Sequence, residues 1–176
     1  TLSELPKIED YEDYLFMIMH SAERTGDSKA KISELNLFLG KEFLVTYHRD
    51  PIPGITMLKE RLQKGTGPQV RGADRLAHQV LDLLADSYLP VVDGLTTEME
   101  EVEEKALSGV RKEDLSKQIL QARRHLTGLR QTLRPQREVI ARLARGESKL
   151  IRAQMLPYFR DVQDAMNRVD ERLQGC

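Results

Sequence analysis

Ala73-Asp74-Arg75-Leu76-Ala77-His78-Gln79-Val80-Leu81-Asp82-Leu83-Leu84-Ala85-Asp86-Ser87-Tyr88 opens the stretch that decides the fold. Ala73, Leu76 or Ala77, Val80, Leu84 and Tyr88 recur every three or four positions, and Val91, Leu95, Met99, Val102 and Ala106 continue the pattern. At 3.6 residues per turn these positions share one helix face, a heptad-like seam of about ten turns. Pro90 lacks the N–H that an interior turn uses and is expected to kink the helix. Leu107-Ser108-Gly109 is expected to close it. A second seam follows at Leu115, Ile119, Ala122, Leu126, Leu129, Leu133, Ile140 and Leu143, with Pro135 as another expected kink and Arg145-Gly146-Glu147 as its end. Ala73 to Arg145 therefore reads as one helical hairpin. A third helix is expected from Leu156-Pro157, where the fixed φ of proline suits a first turn. Its apolar stripe is Tyr158, Val162, Met166, Val169 and Leu173.

Upstream the period changes from helix to strand. Tyr14 to His20 is apolar at both alternating sets of positions, as in a sheet covered on both sides. Ser21 to Lys31 is polar and holds Gly26-Asp27, which reads as a hairpin connection. Ile32 to Leu39 alternates in part, Gly40-Lys41 suits a tight turn, and Phe43 to Tyr47 is rich in strand formers. Asp50-Pro51-Ile52-Pro53-Gly54 breaks the pattern, and a short helix is expected over Ile55 to Leu62, ended by Gly65-Thr66-Gly67-Pro68. The expected fold class is α+β: a small, α/β/α-like sheet domain, then long antiparallel helices. The expected domains are 1–70 (sheet), 71–150 (hairpin) and 151–176 (the third helix).

Charge is sorted along the hairpin. Asp82 to Glu104 carries eight acidic residues and no Lys or Arg, while Arg111 to Arg152 carries twelve basic residues against four acidic ones. The formal net charge of -1 hides this polarity. Such sorting suggests a helical device that works with ions or with a partner. The arginines from Arg123 to Arg145 lie on several helix faces with no interleaved aromatic residue. This favours a solvated helix paired with the acidic arm over a nucleic-acid surface. With 40% hydrophobic residues, 5% aromatics and no Trp, the core must be built from Leu, Ile, Val and Met. The lone Cys176 cannot make an internal disulfide. No apolar run is long enough to span a bilayer. Thr1 precedes a strand-like run without an initiator Met, and Cys176 falls within a helical pattern, so a fragment of a longer chain is expected.

Catalytic patterns are missing. Gly65-Thr66-Gly67-Pro68 lacks the Lys-Ser/Thr of a phosphate loop. The four histidines are scattered, no Cys/His cluster forms, and no nucleophile elbow is present. The chain is read as a non-enzyme. The acidic arm does offer hard oxygen donors of the kind Mg²⁺ prefers, and Asp82 shares a helix face with Asp86.

Several segments, in order, resemble the CorA-type divalent-metal ion transporters. Leu37-Phe38-Leu39-Gly40 leading to Phe43-Leu44-Val45-Thr46-Tyr47-His48 looks like the sheet strands of that family. Gly67-Pro68, Ala73-Asp74 and Leu81-Asp82 through Asp86-Ser87-Tyr88 look like the start of its long helix, and Glu100-Glu101-Val102-Glu103-Glu104 resembles that helix's acidic tip. Arg134-Pro135-Gln136-Arg137-Glu138-Val139 resembles the returning helix, whose Pro-x-Arg-Glu is characteristic. Pro157-Tyr158-Phe159-Arg160-Asp161-Val162-Gln163-Asp164 resembles the start of the pore-lining stalk helix.

The resemblance implies the cytosolic regulatory domain of a Mg²⁺ or Co²⁺ transporter. It implies a pentamer in the full-length parent, on the cytoplasmic side of the inner membrane and anchored through C-terminal helices that this chain lacks. It implies regulatory Mg²⁺ held between subunits by Asp161 and Asp82. Partner acids would precede the segment matching Pro6-Lys7, and Ala165 stands where many members carry His. Two other readings stay open: the cytosolic domain of a ZntB-type zinc transporter, and a non-transport helical scaffold with a basic nucleic-acid-binding arm.

Overall fold

The computed structural model describes residues 4–25, 29–67, 69–108 and 112–175. Strands β1 (Lys7–Asp10), β2 (Tyr14–Thr25), β3 (Lys29–Gly40) and β4 (Leu44–Tyr47) form one sheet in the order β1-β2-β3-β4. Each neighbouring pair is antiparallel. Helices α1 (Pro53–Gln63), α2 (Ala73–Leu107) and α3 (Lys112–Ala144) follow, then a 3-10 turn (Ala153–Met155) and α4 (Leu156–Gln174). The fold is α+β, a small antiparallel sheet joined to long helices.

The alternation within β2 and β3 sets the core. Leu15, Met17 and Met19 pair with Leu39, Leu37 and Leu35, and all six are at most 1% exposed. Each such burial is worth about 1.5–3 kcal/mol before ordering entropy is subtracted. The opposite face carries a ring cluster. Tyr14 and Phe16 lie 6.3 and 4.8 Å from Phe38, Tyr11 stacks on Tyr14 at 5.1 Å, and Val45 and Tyr47 are exposed. The expectation of cover on both faces holds along part of β2: on this second face Ile18, His20 and Ala22 are each 2% exposed, whereas Tyr14 and Phe16 nearer the start are half-buried.

The strand lengths also differ from expectation. Polar residues from Ser21 to Thr25 and from Lys29 to Lys31 continue the β2–β3 ladder, as in Ser21↔Ser33 and Glu23↔Lys31. Backbone pairing needs no apolar side chain, so polarity masked these ends. The connection expected at Gly26-Asp27 lies outside the described residues. Strand β1 was not anticipated: Lys-Ile-Glu-Asp has only one apolar residue, and its strand character comes from pairing with β2.

The helical seams are largely realised. Ala73, Ala77, Val80, Leu84, Tyr88, Val91, Leu95 and Val102 are buried on α2, whereas Ala106 is exposed. On α3, Leu129, Leu133, Ile140 and Leu143 are at most 1% exposed, and Ile119 is exposed. Pro90 and Pro135 both lie inside helices that continue past them. Pro53 and Pro157 sit in the first turns of α1 and α4. On α4 the buried aromatic is Phe159, and the expected Tyr158 is exposed. Among the described residues no helix is long and apolar enough to cross a membrane.

The ion pairs do not follow the charge sorting. Among the described residues, the α3 arginines pair with α4 or locally. Arg137 binds Asp170 and Asn167, while Arg142 and Arg145 hold Glu147. The acidic helix α2 is tied elsewhere, through Asp74 to Arg152 and Asp93 to Arg172.

Candidate functional site

The sheet and helices are joined by side chains that complete a strand edge. Strand β1 begins at Lys7, opposite Ile18, so β2 runs on without a β1 partner. Buried backbone groups there need other partners. The His20 N–H donates to Gln136 Oε1 at 2.6 Å, and Gln136 Nε2 donates to the His20 carbonyl at 2.8 Å. The side-chain amide of a fully buried α3 residue thus imitates a strand neighbour. The Tyr88 hydroxyl donates to the same carbonyl at 3.2 Å, and the Ala22 N–H donates to Ser87 Oγ at 3.1 Å. Burial pushes the Tyr88 phenol up, which keeps it a neutral donor. Ser87-Tyr88 and Gln136, which sequence matching alone singled out, therefore seat the helices on the sheet.

A second junction ties the start of α2 to the segment that leads into α4. Gly72 precedes α2 with φ 107°, and Asp74 in the first turn is 3% exposed. Asp74 Oδ2 accepts from Arg152 N–H at 3.0 Å and Arg152 Nε at 2.9 Å, while Oδ1 accepts from Arg152 Nη2 at 2.7 Å. Burial opposes ionisation of Asp74, yet the hydrogen bonds from Arg152 outweigh it and hold the carboxyl below its usual value.

Between these junctions, α2 and α4 cross at His78. Its ring meets Tyr158 and Phe159 edge-on, at 5.6 and 5.7 Å between centroids. Arg75 lies 5.0 Å above the Tyr158 ring. Asp82 is one helical turn beyond His78, and Asp161 is three residues beyond Tyr158, so each points along the same side of its helix. Both carboxylates act on the His78 imidazole. Its pKa is lowered chiefly by burial, with the negative charges of Asp82 and Asp161 working against that shift. The Asp86 carboxyl is raised, first by burial and then by the charge of Asp82, against the pull of Arg168.

The two acids nominated from sequence thus share one neighbourhood, Asp82 partly buried and Asp161 exposed. Asp82, Asp86 and Asp161 make no ion pair within 4.0 Å among the described residues. This donor set, carboxylate oxygens left unpaired by cations, suits a hydrated Mg²⁺, which takes one or two carboxylates and keeps its waters. No group of three or more His, Cys, Asp or Glu that could hold a metal ion forms among the described residues. His78 was passed over in sequence as one scattered histidine. Its spacing of four from Asp82 was the available signal, and the contact with α4 supplies the rest.

Residues 2–176 match the family described as CorA-like Mg2+ transporter protein. The cobalt/magnesium transport protein CorA of Thermotoga maritima is 30% identical over 161 residues, covering 90% of this chain and 46% of the relative. The chain spans about half the length of the sequence relatives it matches. In structure, the soluble domain of CorA from Methanocaldococcus jannaschii superposes with a TM-score of 0.83 at 23% identity, covering 98% of this chain and 69% of that one. The ZntB cytoplasmic domain from Vibrio parahaemolyticus does so at 0.79 and 17% identity, covering 98% and 67%, so both likenesses speak to the fold. With the family match running along nearly all of its length, this chain belongs to the CorA-like Mg2+ transporter proteins.

Proposed function

We propose that this chain is the regulatory domain of a divalent-cation transporter, lying on the cytoplasmic side of the membrane in a homopentameric parent. We propose no catalytic role for it. The observation that carries the reading is that Asp82 on α2 and Asp161 on α4 both act on the charge of His78, with the start of α2 tied through Asp74 to Arg152 in the segment leading into α4. Two carboxylates about 4 Å apart repel by about 4 kcal/mol at an effective dielectric near 20. Carboxylates gathered at a subunit contact would push the contact apart when bare. Bound Mg²⁺ supplies the positive charge that turns this repulsion into attraction. A modest term repeated at each subunit contact then biases the whole assembly.

The zinc-transporter alternative shares the fold, but zinc favours His and Cys donors, and this crossing offers carboxylates with one imidazole. The basic arm does not favour nucleic acid: Arg137 is spent on Asp170 and Asn167, and Arg142 and Arg145 on Glu147. In the full-length transporter, Asp161→Ala and Asp82→Ala are expected to relieve the inhibition of transport by internal Mg²⁺. Unchanged inhibition in both variants would remove the two carboxylates from the switch.

A further inference from the structure

A second concave site lies at the other end of the α2–α4 junction, and its chemistry is opposite in sign. A cavity of about 310 Å³ is lined by Gln69, Arg71, Arg75, Arg152, Gln154 and Met155. That volume is at the lower end of the ~300–1,000 Å³ usual for small-ligand pockets. Three guanidinium groups line it, and Asp74, whose Oδ1 also accepts from the Arg75 N–H, is ion-paired to Arg152. Arg71 and Arg75 make no ion pair within 4.0 Å among the described residues. The cavity therefore holds an excess of positive charge.

The arginines are also held in place. Arg152 is fixed by Asp74 and donates to the Arg71 carbonyl at 2.6 Å. Arg75 rests on the Tyr158 ring. Cationic side chains that repel one another would normally splay into water. Here backbone and ring contacts keep two of them at the cavity wall, so little rotamer freedom is lost when an anion arrives. Gln69 and Gln154 add neutral amide donors. The cavity also abuts the start of a 35-residue helix whose first turn has no side-chain cap from Gly72, and the dipole there favours negative charge.

We propose that this arginine-lined cavity binds a soluble polyphosphate anion, the diphosphate or triphosphate chain being the recognised group. Planar guanidinium forks match phosphate oxygens two at a time. The guanidiniums of Arg71 and Arg75, the remaining Nη1 of Arg152 and two amides exceed what a single small monoanion uses. The site adjoins the His78 neighbourhood through Arg75 and Tyr158 but uses neither Asp82 nor Asp161, so it does not depend on their reading.

The test is calorimetric titration of the 176-residue chain, in chloride buffer without divalent cations, with sodium pyrophosphate, ATP, AMP and sodium sulfate. Pyrophosphate and ATP are expected to bind at one site, with AMP and sulfate weaker by about tenfold or more. Arg71→Ala and Arg75→Ala should each weaken pyrophosphate by about tenfold or more, the loss of a charged hydrogen bond. Neither arginine is in an ion pair among the described residues, and Arg75 gives up only its ring contact with Tyr158, so far-UV circular dichroism should stay as in the parent and the melting temperature should move by no more than about 4 °C. Absent pyrophosphate binding overturns the proposal. So do equal affinity for sulfate and pyrophosphate, or full affinity retained in both arginine variants.

Discussion

Replacing Gln136 with leucine probes the junction between sheet and helices directly. Gln136 is 0% exposed and makes two hydrogen bonds to one residue 116 positions away, His20. Leucine has a similar volume, so the cavity contribution is small. The His20 N–H would be left buried without a partner, at about 1–3 kcal/mol, and the carbonyl would lose one of its two donors, about 0.5–1 kcal/mol. The expected loss is about 1.5–4 kcal/mol. At roughly 2–4 °C per kcal/mol for a chain of this size, the melting temperature falls by roughly 3–16 °C. Urea and thermal unfolding followed by circular dichroism measure both quantities. Tyr88→Phe removes only the 3.2 Å bond to the same carbonyl and is expected to lose about 0.5–1.5 kcal/mol. Because the two donors share one oxygen, the double variant should lose more than the sum. A Gln136→Leu variant within about 0.5 kcal/mol of the parent, with additive behaviour alongside Tyr88→Phe, would refute the strand-edge reading.

Other outcomes follow from single sites. Gly72→Ala should lower stability by about 1–3 kcal/mol in the same unfolding assay, because φ 107° is strained for alanine and its Cβ would lie 2.5 Å from Arg152 Nη2. Stability should fall on acidification in two windows. Burial depresses His20 and His78 below 6.5, so the unfolded chain takes up protons more readily, and their contribution is complete above pH 6.5 and lost as pH falls through the folded values. Asp74, also depressed, adds a further loss as pH drops below 3.8. Asp86, raised, acts in the opposite sense near its own titration. Urea titrations at a series of pH values that show no decline between about pH 7.5 and 5 would contradict the buried-histidine account.

Much of the architecture was legible in the chain because it rests on local periodicity. Leu15-Met17-Met19 and Leu35-Leu37-Leu39 announce a strand face at a period of two, and Val80, Leu84, Tyr88, Val91 and Leu95 a helix face at 3.6. Pro53 and Pro157 mark helix starts because their missing N–H costs nothing there. The same amphipathic reading misplaced Tyr158, since a stripe of period 3.6 tolerates a neighbour, and Phe159 went inside.

What the sequence determined by itself was therefore the identity of the helices and core strands, the sorted charge, and the two carboxylates that a family resemblance picked out. Tertiary structure alone decided the rest. It made β1 a strand, extended β2 and β3 through polar residues, and turned Gln136, Tyr88 and Ser87 into partners of β2. It paired Asp74 with Arg152, 78 residues away, and brought Asp82 and Asp161 to one histidine. It also redirected the charge of the hairpin, so that Arg137 pairs with α4 while the acidic α2 is held at Asp74 and Asp93. The physical reason is common to all of these. Periodicity reports which side of an element faces the core, whereas a hydrogen bond or ion pair needs two groups within about 3 Å. For groups far apart in the chain, that distance is set by how the elements dock.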